Sequence, residues 1–400
     1  MLLCSMGRIL IAWELGGGLG HVTVLRPVAE SLMGRGHEVL LAVRDPKAAD
    51  RVFRDTGVAF TQAPYKVGPV NTPIRPQRSF AHLLHHAGFE DVDELSALYR
   101  AWTGLFNTFQ PDLALFDHSP TALLASRGRD MRRALIGTGF CAPPAQDNLP
   151  DMRPWLPALP EQLQRDEQRT LRVANSVLQH NKQSEMPRLS DLYGQVDRNL
   201  LTTFPELDHF GERDDAEYWG TFQDCPGVSP IWPQGSGRRI FAYLKPCKGL
   251  KEAIEVLGVS GHSVVIFAPW SDARTQARFN FANVRFSRLP LDMARVSKEC
   301  DVAILNGTHG ATAEMLLAGK PILQLPIYLE QRLVAKRTAD IGAGLAANRT
   351  SPTDTAEKLE SITSDSTYAA SAKSFSAKYH HHDGSRRLEE MSQVISDLAL

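Results

Sequence analysis

Short apolar runs alternate with stretches of helical periodicity along most of the chain. "RILIAW" (8–13), "HEVLLAV" (37–43), "VAFTQAP" (58–64), "DLALFD" (112–117) and "RALIGTG" (133–139) have strand length. Between the first of them apolar positions recur at helical spacing, with one helix expected to begin near Gly20. Strands separated by helices predict parallel pairing, because a parallel neighbour is reached only by a long return connection. The alternation restarts in the second half with "RRIFAYL" (238–244), "SVVIFAP" (263–269), "NVRFS" (283–287), "DVAILN" (301–306) and "PILQLP" (321–326). The pattern predicts an α/β protein of two Rossmann-like domains facing across a cleft, where the carboxyl ends of the strands gather ligands.

Two stretches interrupt the alternation. Tyr65–Gln110 begins irregular and Pro-rich and ends in the helical "DELSALYRAWTGLFNTF", an insertion of the kind that builds a binding wall. From Asp147 to Gln234 the pattern loosens: "NLPDMRPWLPALP" is Pro-rich, a polar amphipathic stretch follows, and "DCPGVSPIWPQGSG" reads as a linker. The expected division is 1–220 for the first domain, 221–237 for the linker, 238–378 for the second domain and 379–400 for a terminal amphipathic helix.

Composition narrows the partners. The 400 residues suffice for two cores, and 44 basic against 45 acidic side chains leave a formal net charge of −1. Such a balance carries no footprint for nucleic acid or an anionic membrane, and points to small molecules instead. The five cysteines (Cys4, Cys141, Cys225, Cys247, Cys300) are scattered and lack C-x-x-C spacing, which argues for reduced thiols rather than a disulfide framework or a zinc knuckle. The opening "MLLCSMGRILIAW" has no basic n-region and reads as the approach to a core strand, and no run approaches the ~18 apolar residues of a membrane span. A cytoplasmic protein without stable membrane insertion is the expectation; the oligomeric state is not legible.

The candidate chemistry lies where strands end. In "WELGGGLGHVTVL" the glycines Gly16, Gly17 and Gly18 supply a tight strand-to-helix turn, and His21 falls in the first helical turn. The spacing does not fit G-x-G-x-x-G, so a dinucleotide cofactor is not expected, and no P-loop occurs. A histidine with an unperturbed pKa of about 6.5 suits a general base near neutral pH. A positive helix end would lower that value, so a carboxylate partner is wanted, and Asp117, closing "PDLALFD", stands at a comparable strand end.

In the second half, "NGTHGAT" joins a strand ending at Asn306 to a helix through Glu314 that closes at Gly319. The N–H groups of Gly310, Ala311 and Thr312 could meet a diphosphate, Glu314 could reach a ribose, and Glu330 with Gln331 could bond a sugar ring. "DVD" (91–93) reads as an acidic helix start rather than a metal motif, and no metal site is expected. His82, His85 and His86 read as a polar face of the insertion without a fixed carboxylate nearby. "DHSPTA" lacks the glycines of a nucleophile elbow.

Taken in order, "NGTHGATAEMLLAGKP" and "EQ" resemble the donor signature of the UDP-glycosyltransferase superfamily, H-G-G-x-G-[ST]-x-x-E, A-G-x-P and [DE]-Q. "GHVTVLRPVAESLMGRGHEVLLAV" is similar to that superfamily's opening. The resemblance implies a GT-B fold, with the terminal helix packing back on the first domain, and an inverting, metal-independent glycosyltransferase. In it His21, oriented by Asp117, deprotonates an acceptor hydroxyl that displaces the nucleoside diphosphate from a UDP- or dTDP-sugar. The implied donor site comprises Gly18, Lys245, Arg288, Asn306, Thr308, His309, Gly310, Ala311, Thr312, Glu314, Glu330 and Gln331. Phe80, His85 and Phe140 would line the site of a small, partly apolar acceptor.

The chain departs from the signature at three positions: Asn306 replaces the phosphate-binding histidine, Thr308 the second glycine and Ala311 the hydroxyl residue. Thr308, His309 or Thr312 could substitute, Lys245 and Lys248 could supply charge, and Arg288 stands where a base-stacking tryptophan is frequent. Two other functions fit the same residues: a sugar-nucleotide epimerase or hydrolase, and a non-catalytic sugar-nucleotide-binding partner. No resident cofactor is expected; the nucleotide sugar is a co-substrate.

Overall fold

A computed structural model describes residues 6–222 and 227–400. Cys4 and Cys225, and the part of the expected linker at 223–226, lie outside the described residues. The chain forms two compact units.

The first unit is built on β1 (Arg8–Trp13), β2 (Glu38–Val43), β3 (Ala59–Gln62), β4 (Leu113–Asp117), β5 (Arg132–Gly137), β6 (Arg198–Leu201) and β7 (Glu217–Tyr218). They form one parallel sheet in the order β3-β2-β1-β4-β5-β6-β7. Strands of such a sheet are covered on both faces, which explains why "RILIAW" and "LALFD" are apolar almost throughout and buried almost throughout. The helix Gly20–Gly34 buries Val22, Leu25, Val28, Ala29 and Leu32 against them.

The helix Gly384–Leu398 joins this same core through Met391 and Ile395. Arg35 pairs with Glu389, and His37 Nε2 lies 2.6 Å from Ser396 Oγ. The last helix of the sequence is therefore part of the first unit.

The second unit contains β8 (Arg239–Tyr243), β9 (Ser263–Phe267), β10 (Val284–Ser287), β11 (Val302–Leu305), β12 (Ile322–Gln324) and β13 (Gly344–Ala346), again all parallel, in the order β10-β9-β8-β11-β12-β13. In both sheets the strand order reverses beside the first strand, between β1 and β4 and between β8 and β11. Such a switch point splays the adjoining loops apart and opens a crevice at the strand ends.

Two expectations are corrected. Phe204–Gly211, placed by sequence in the first domain, belongs to the second unit. There Leu207 is fully buried, Phe204 packs edge-on against Phe375 and tilted against Tyr379, and Glu206 binds Tyr379 and Lys378. The described part of the Pro-rich "linker" is not a free tether either. Val228 bridges to Leu291, Trp232 Nε1 donates to Glu299 and Ser263 Oγ donates to Pro233 O, so the segment packs on the second unit. Among the described residues no helix is long and apolar enough to cross a membrane.

Candidate active site

In the first unit β1 and β4 run side by side with Trp13 opposite Asp117, so both strands end at the same level of the switch point. The glycine turn then brings the following helix back over that edge. His21 Nδ1 lies 2.7 Å from Asp117 Oδ2, and the Trp13 ring stacks on the imidazole at 5.2 Å between centroids. Asp117 is buried, whereas the His21 side chain keeps 19% exposure. A carboxylate is an acceptor only, so the contact places a proton on Nδ1 and the lone pair of the neutral ring on Nε2.

The backbone around this pair tolerates little else. Gly16, at φ +83°, runs against the imidazole edge, and a Cβ there would press into Nε2. Gly137, at φ +124°, approaches Asp117 so closely that a Cβ would lie 2.7 Å from Oδ1. Both positions need a left-handed backbone and the absence of a side chain.

Three neighbours were not found by sequence reasoning. Glu14, fully buried at the end of β1, accepts from Ser119 Oγ, Thr121 N and Oγ1, and Ala122 N. Burial raises its pKa to about 7 against these bonds, which favour the charged form. It staples the loop after β4 to β1, and the Leu15 N–H donating to His118 O adds a second tie. The acidic residue ending an apolar run was the available signal.

His118, next to Asp117, has φ +48° and lies parallel to His21 at 6.1 Å. Burial, reinforced by His21, drives its pKa down to about 3, so it stands as a neutral ring beside His21. The third neighbour is Cys141. One ligand atom each of His21, Asp117 and Cys141 lie within 4.8 Å of one another, the one such group able to hold a metal among the described residues.

Of the expected acceptor residues, Phe80 and Phe140 do surround this place, each edge-on to His118 and 6.3 Å from one another. His85 does not join them. It is buried, 2.9 Å from Thr72 O and 3.9 Å from Glu90. The histidine cluster is thus not a polar face. His82 is buried against Asp166 at 3.1 Å, and His86 Nε2 accepts from Ile74 N, so the cluster latches the insertion internally and carboxylates do accompany it. Gly18 is exposed at φ +79° in the glycine turn.

In the second unit the loops after β8 and β11 meet at the other switch point. The helix His309–Leu317 follows β11, with Thr308 as its N-cap. Its first main-chain bond runs from Thr312 N to Thr308 O. The N–H groups ahead of that bond, at Gly310 and Ala311, remain at the helix start, while the N–H of Thr312, expected to meet an anion, is consumed. The Thr312 side chain is also turned inward, accepting from Gln324 Nε2 at 3.1 Å.

Asn306 is likewise corrected. Its Oδ1 accepts from Lys245 N at 2.6 Å and its Nδ2 donates to Leu325 O at 2.8 Å, so it ties three strand ends together instead of facing a ligand. His309 cannot replace the missing cation, because burial lowers its pKa to about 4 and the ring is neutral at pH 7. Thr308 Oγ1 is buried without a partner.

Glu330 and Arg288 are exposed, and Glu314 and Lys245 are partly so. Gln331 is buried, and its Oε1 caps the helix Leu329–Asp340 by accepting from Ile327 N at 2.8 Å. That oxygen is therefore committed to the fold, whereas Glu330 beside it is exposed.

No protein-family model matches the chain, and no curated protein matches its sequence. Solved structures do. CalG4, a calicheamicin glycosyltransferase, aligns at TM-score 0.70 and 18% identity over 97% of this chain and 98% of its own. The glycosyltransferase VinC in complex with dTDP aligns at 0.68 and 17%, over 98% and 99%. The spinosyn rhamnosyltransferase SpnG complexed with spinosyn aglycone aligns at 0.61 and 17%, over 94% and 96%. With two parallel α/β units and end-to-end alignment to these proteins, the chain has the GT-B fold of two Rossmann-like domains.

Proposed function

We propose that the protein is an inverting glycosyltransferase that moves a sugar from a dTDP- or UDP-sugar to a hydroxyl of a small, partly apolar acceptor. The observation that carries this reading is the 2.7 Å contact between His21 Nδ1 and Asp117 at the switch point of the first sheet. The acceptor O–H gives its proton to His21 Nε2 as its oxygen bonds to the anomeric carbon. The bond from that carbon to the diphosphate breaks, and the nucleoside diphosphate leaves from the opposite face. Asp117 holds the ring in the required tautomer and stabilises the imidazolium. Phe80 and Phe140 offer apolar surface beside the base.

On the donor side, the N–H groups of Gly310 and Ala311, the hydroxyl of Thr308 and the helix N-terminus receive the diphosphate, and Lys245 and Lys248 supply positive charge. Glu314 is assigned to the ribose and Glu330 to the sugar hydroxyls. The dTDP held by VinC and the aglycone held by SpnG support a nucleoside-diphosphate donor and a small-molecule acceptor. No resident cofactor enters this reading.

One observation favours a second reading, donor binding without transfer: Asn306 is bonded internally and His309 is neutral, so the loop itself brings no cationic side chain to the diphosphate. Incubation with labelled dTDP- and UDP-sugars, with and without hydroxylated aromatic acceptors, separates the two. Transfer predicts nucleotide release only with acceptor present, lost in His21→Ala. Release without acceptor points to hydrolysis or epimerisation, and binding without release in any mixture points to a silent partner.

A further inference from the structure

We propose that the base is also a capture site for a thiophilic divalent cation, zinc(II) above all, bound by His21, Asp117 and Cys141, and that its occupation switches the base off. The three donors come from three separate elements: the helix after β1, the end of β4 and the turn Gly139–Cys141 after β5. An imidazole, a carboxylate and a thiolate are the donor types zinc prefers, and three protein ligands with a fourth open position is the coordination of a solvent-reachable zinc. Tetrahedral bonding at ordinary zinc distances puts ligand atoms about 3.4 Å apart. Nδ1 and Oδ2 are closer than this, at 2.7 Å, and one ligand atom from each of the three residues lies within 4.8 Å of the others. The His21–Asp117 contact has to open by less than about 1 Å to admit the metal.

Charge and access agree with the geometry. Asp117 and the Cys141 thiolate together neutralise a divalent ion, so the buried assembly carries no net charge. Asp117 and Cys141 are buried, and the 19% exposure of the His21 side chain leaves an approach from solvent. Binding releases one proton, from the thiol. The imidazole stays neutral and changes tautomer.

The tautomer makes metal binding and base function exclude each other. As base, His21 carries its proton on Nδ1, facing Asp117, and accepts at Nε2. A metal held between Nδ1, Asp117 and Cys141 needs the lone pair on Nδ1, which moves the proton to Nε2 and leaves no acceptor for the substrate hydroxyl. The ion thus takes the place of the proton that orients the ring. The silencing half of this proposal rests on the transferase reading above; the metal site does not.

Cobalt(II) titration of the whole protein tests the site without any assay of transfer. The wild type should develop a near-ultraviolet sulfur-to-cobalt band saturating at one equivalent, absent in Cys141→Ser and in Cys141→Ala. Persistence of the band in both variants assigns the sulfur to another cysteine and overturns the proposal. X-ray absorption of the zinc-loaded wild type needs no variant: one sulfur among nitrogen and oxygen ligands is expected, and a sulfur-free shell refutes the site. In the transfer assay, zinc should inhibit the wild type and a chelator should restore the rate. Each cysteine variant, normalised to its own zinc-free rate, should need at least about tenfold more zinc. Unchanged zinc sensitivity in both variants defeats the silencing claim, while a missing transferase activity leaves the cobalt result to decide the site alone.

Discussion

Gly16 lies against the ring of His21, so that a Cβ at position 16 would press into Nε2 and stand 3.2 Å from Cδ2. The residue also holds φ at +83°. Gly16→Ala therefore meets two obstacles, a backbone conformation costing about 1 kcal/mol for an L side chain and a displaced imidazole. Because a misplacement of about 1 Å can cost a catalytic step about a hundredfold, the variant should lose about that factor in kcat/KM. Donor affinity should stay, since the loop assigned above to the diphosphate belongs to the second unit. Calorimetric titration with dTDP beside steady-state kinetics checks this, and an active Gly16→Ala enzyme would remove His21 from the reaction.

Asp117→Asn preserves shape and reverses hydrogen-bond polarity. An amide N–H facing Nδ1 holds the histidine proton on Nε2, the tautomer that cannot accept from a hydroxyl. The expected outcome is a fall of about 10³- to 10⁴-fold in kcat with little change in donor binding. Rapid-quench measurement of a single turnover isolates the chemical step. Retention of more than a tenth of the wild-type rate contradicts the assigned role of the carboxylate.

The strands were legible because both sheets are parallel and covered on both faces, so runs such as "RILIAW" and "DVAILN" stand out from their surroundings. β7, two residues long at Glu217–Tyr218, offers no pattern to read, and β6 and β13 are short strands inside less regular stretches. The order of strands makes His21 and Asp117 neighbours once β1 and β4 are paired, although they are 96 residues apart. Cys141 comes to the same place only through the turn after β5, and no local spacing announces it. Asn306 shows the opposite difficulty. Alignment with a motif set it at the phosphate, while its two polar atoms bond to Lys245 and Leu325, a use that depends on strand ends distant in sequence. Thr312 and Gln331 were misread for the same reason, their polar atoms being taken up inside the fold.

Glu14 holds the loop after β4 against the end of β1. Its carboxylate is the acceptor for four donors on the loop that carries His118 and opens the helix Pro120–Ala125. Glu14→Ala strands the Thr121 and Ala122 N–H groups in a dry site, and should cost about 2 to 4 kcal/mol in urea unfolding. Activity at a temperature where the variant is still folded should also fall, because the loop that follows Asp117 loses its staple. A variant with wild-type unfolding midpoint would mean that the loop is held from elsewhere.

His309, at the start of the helix His309–Leu317, ties the stability of the second unit to pH. Burial lowers its pKa from 6.5 to about 4 in the folded protein. Between these values the unfolded chain binds the proton and the folded one does not. Stability attached to this residue is complete above about pH 6.5 and declines as the pH falls toward 4, by about 3 kcal/mol over the interval. His309→Asn cannot titrate, so its unfolding free energy should vary less steeply across that window than that of the wild type, whatever its value at pH 7. Urea denaturation at half-unit steps from pH 4 to 7 provides the comparison. Parallel curves for the two proteins would mean that the folded imidazole keeps its ordinary pKa, and would overturn the neutral ring assigned to this helix start.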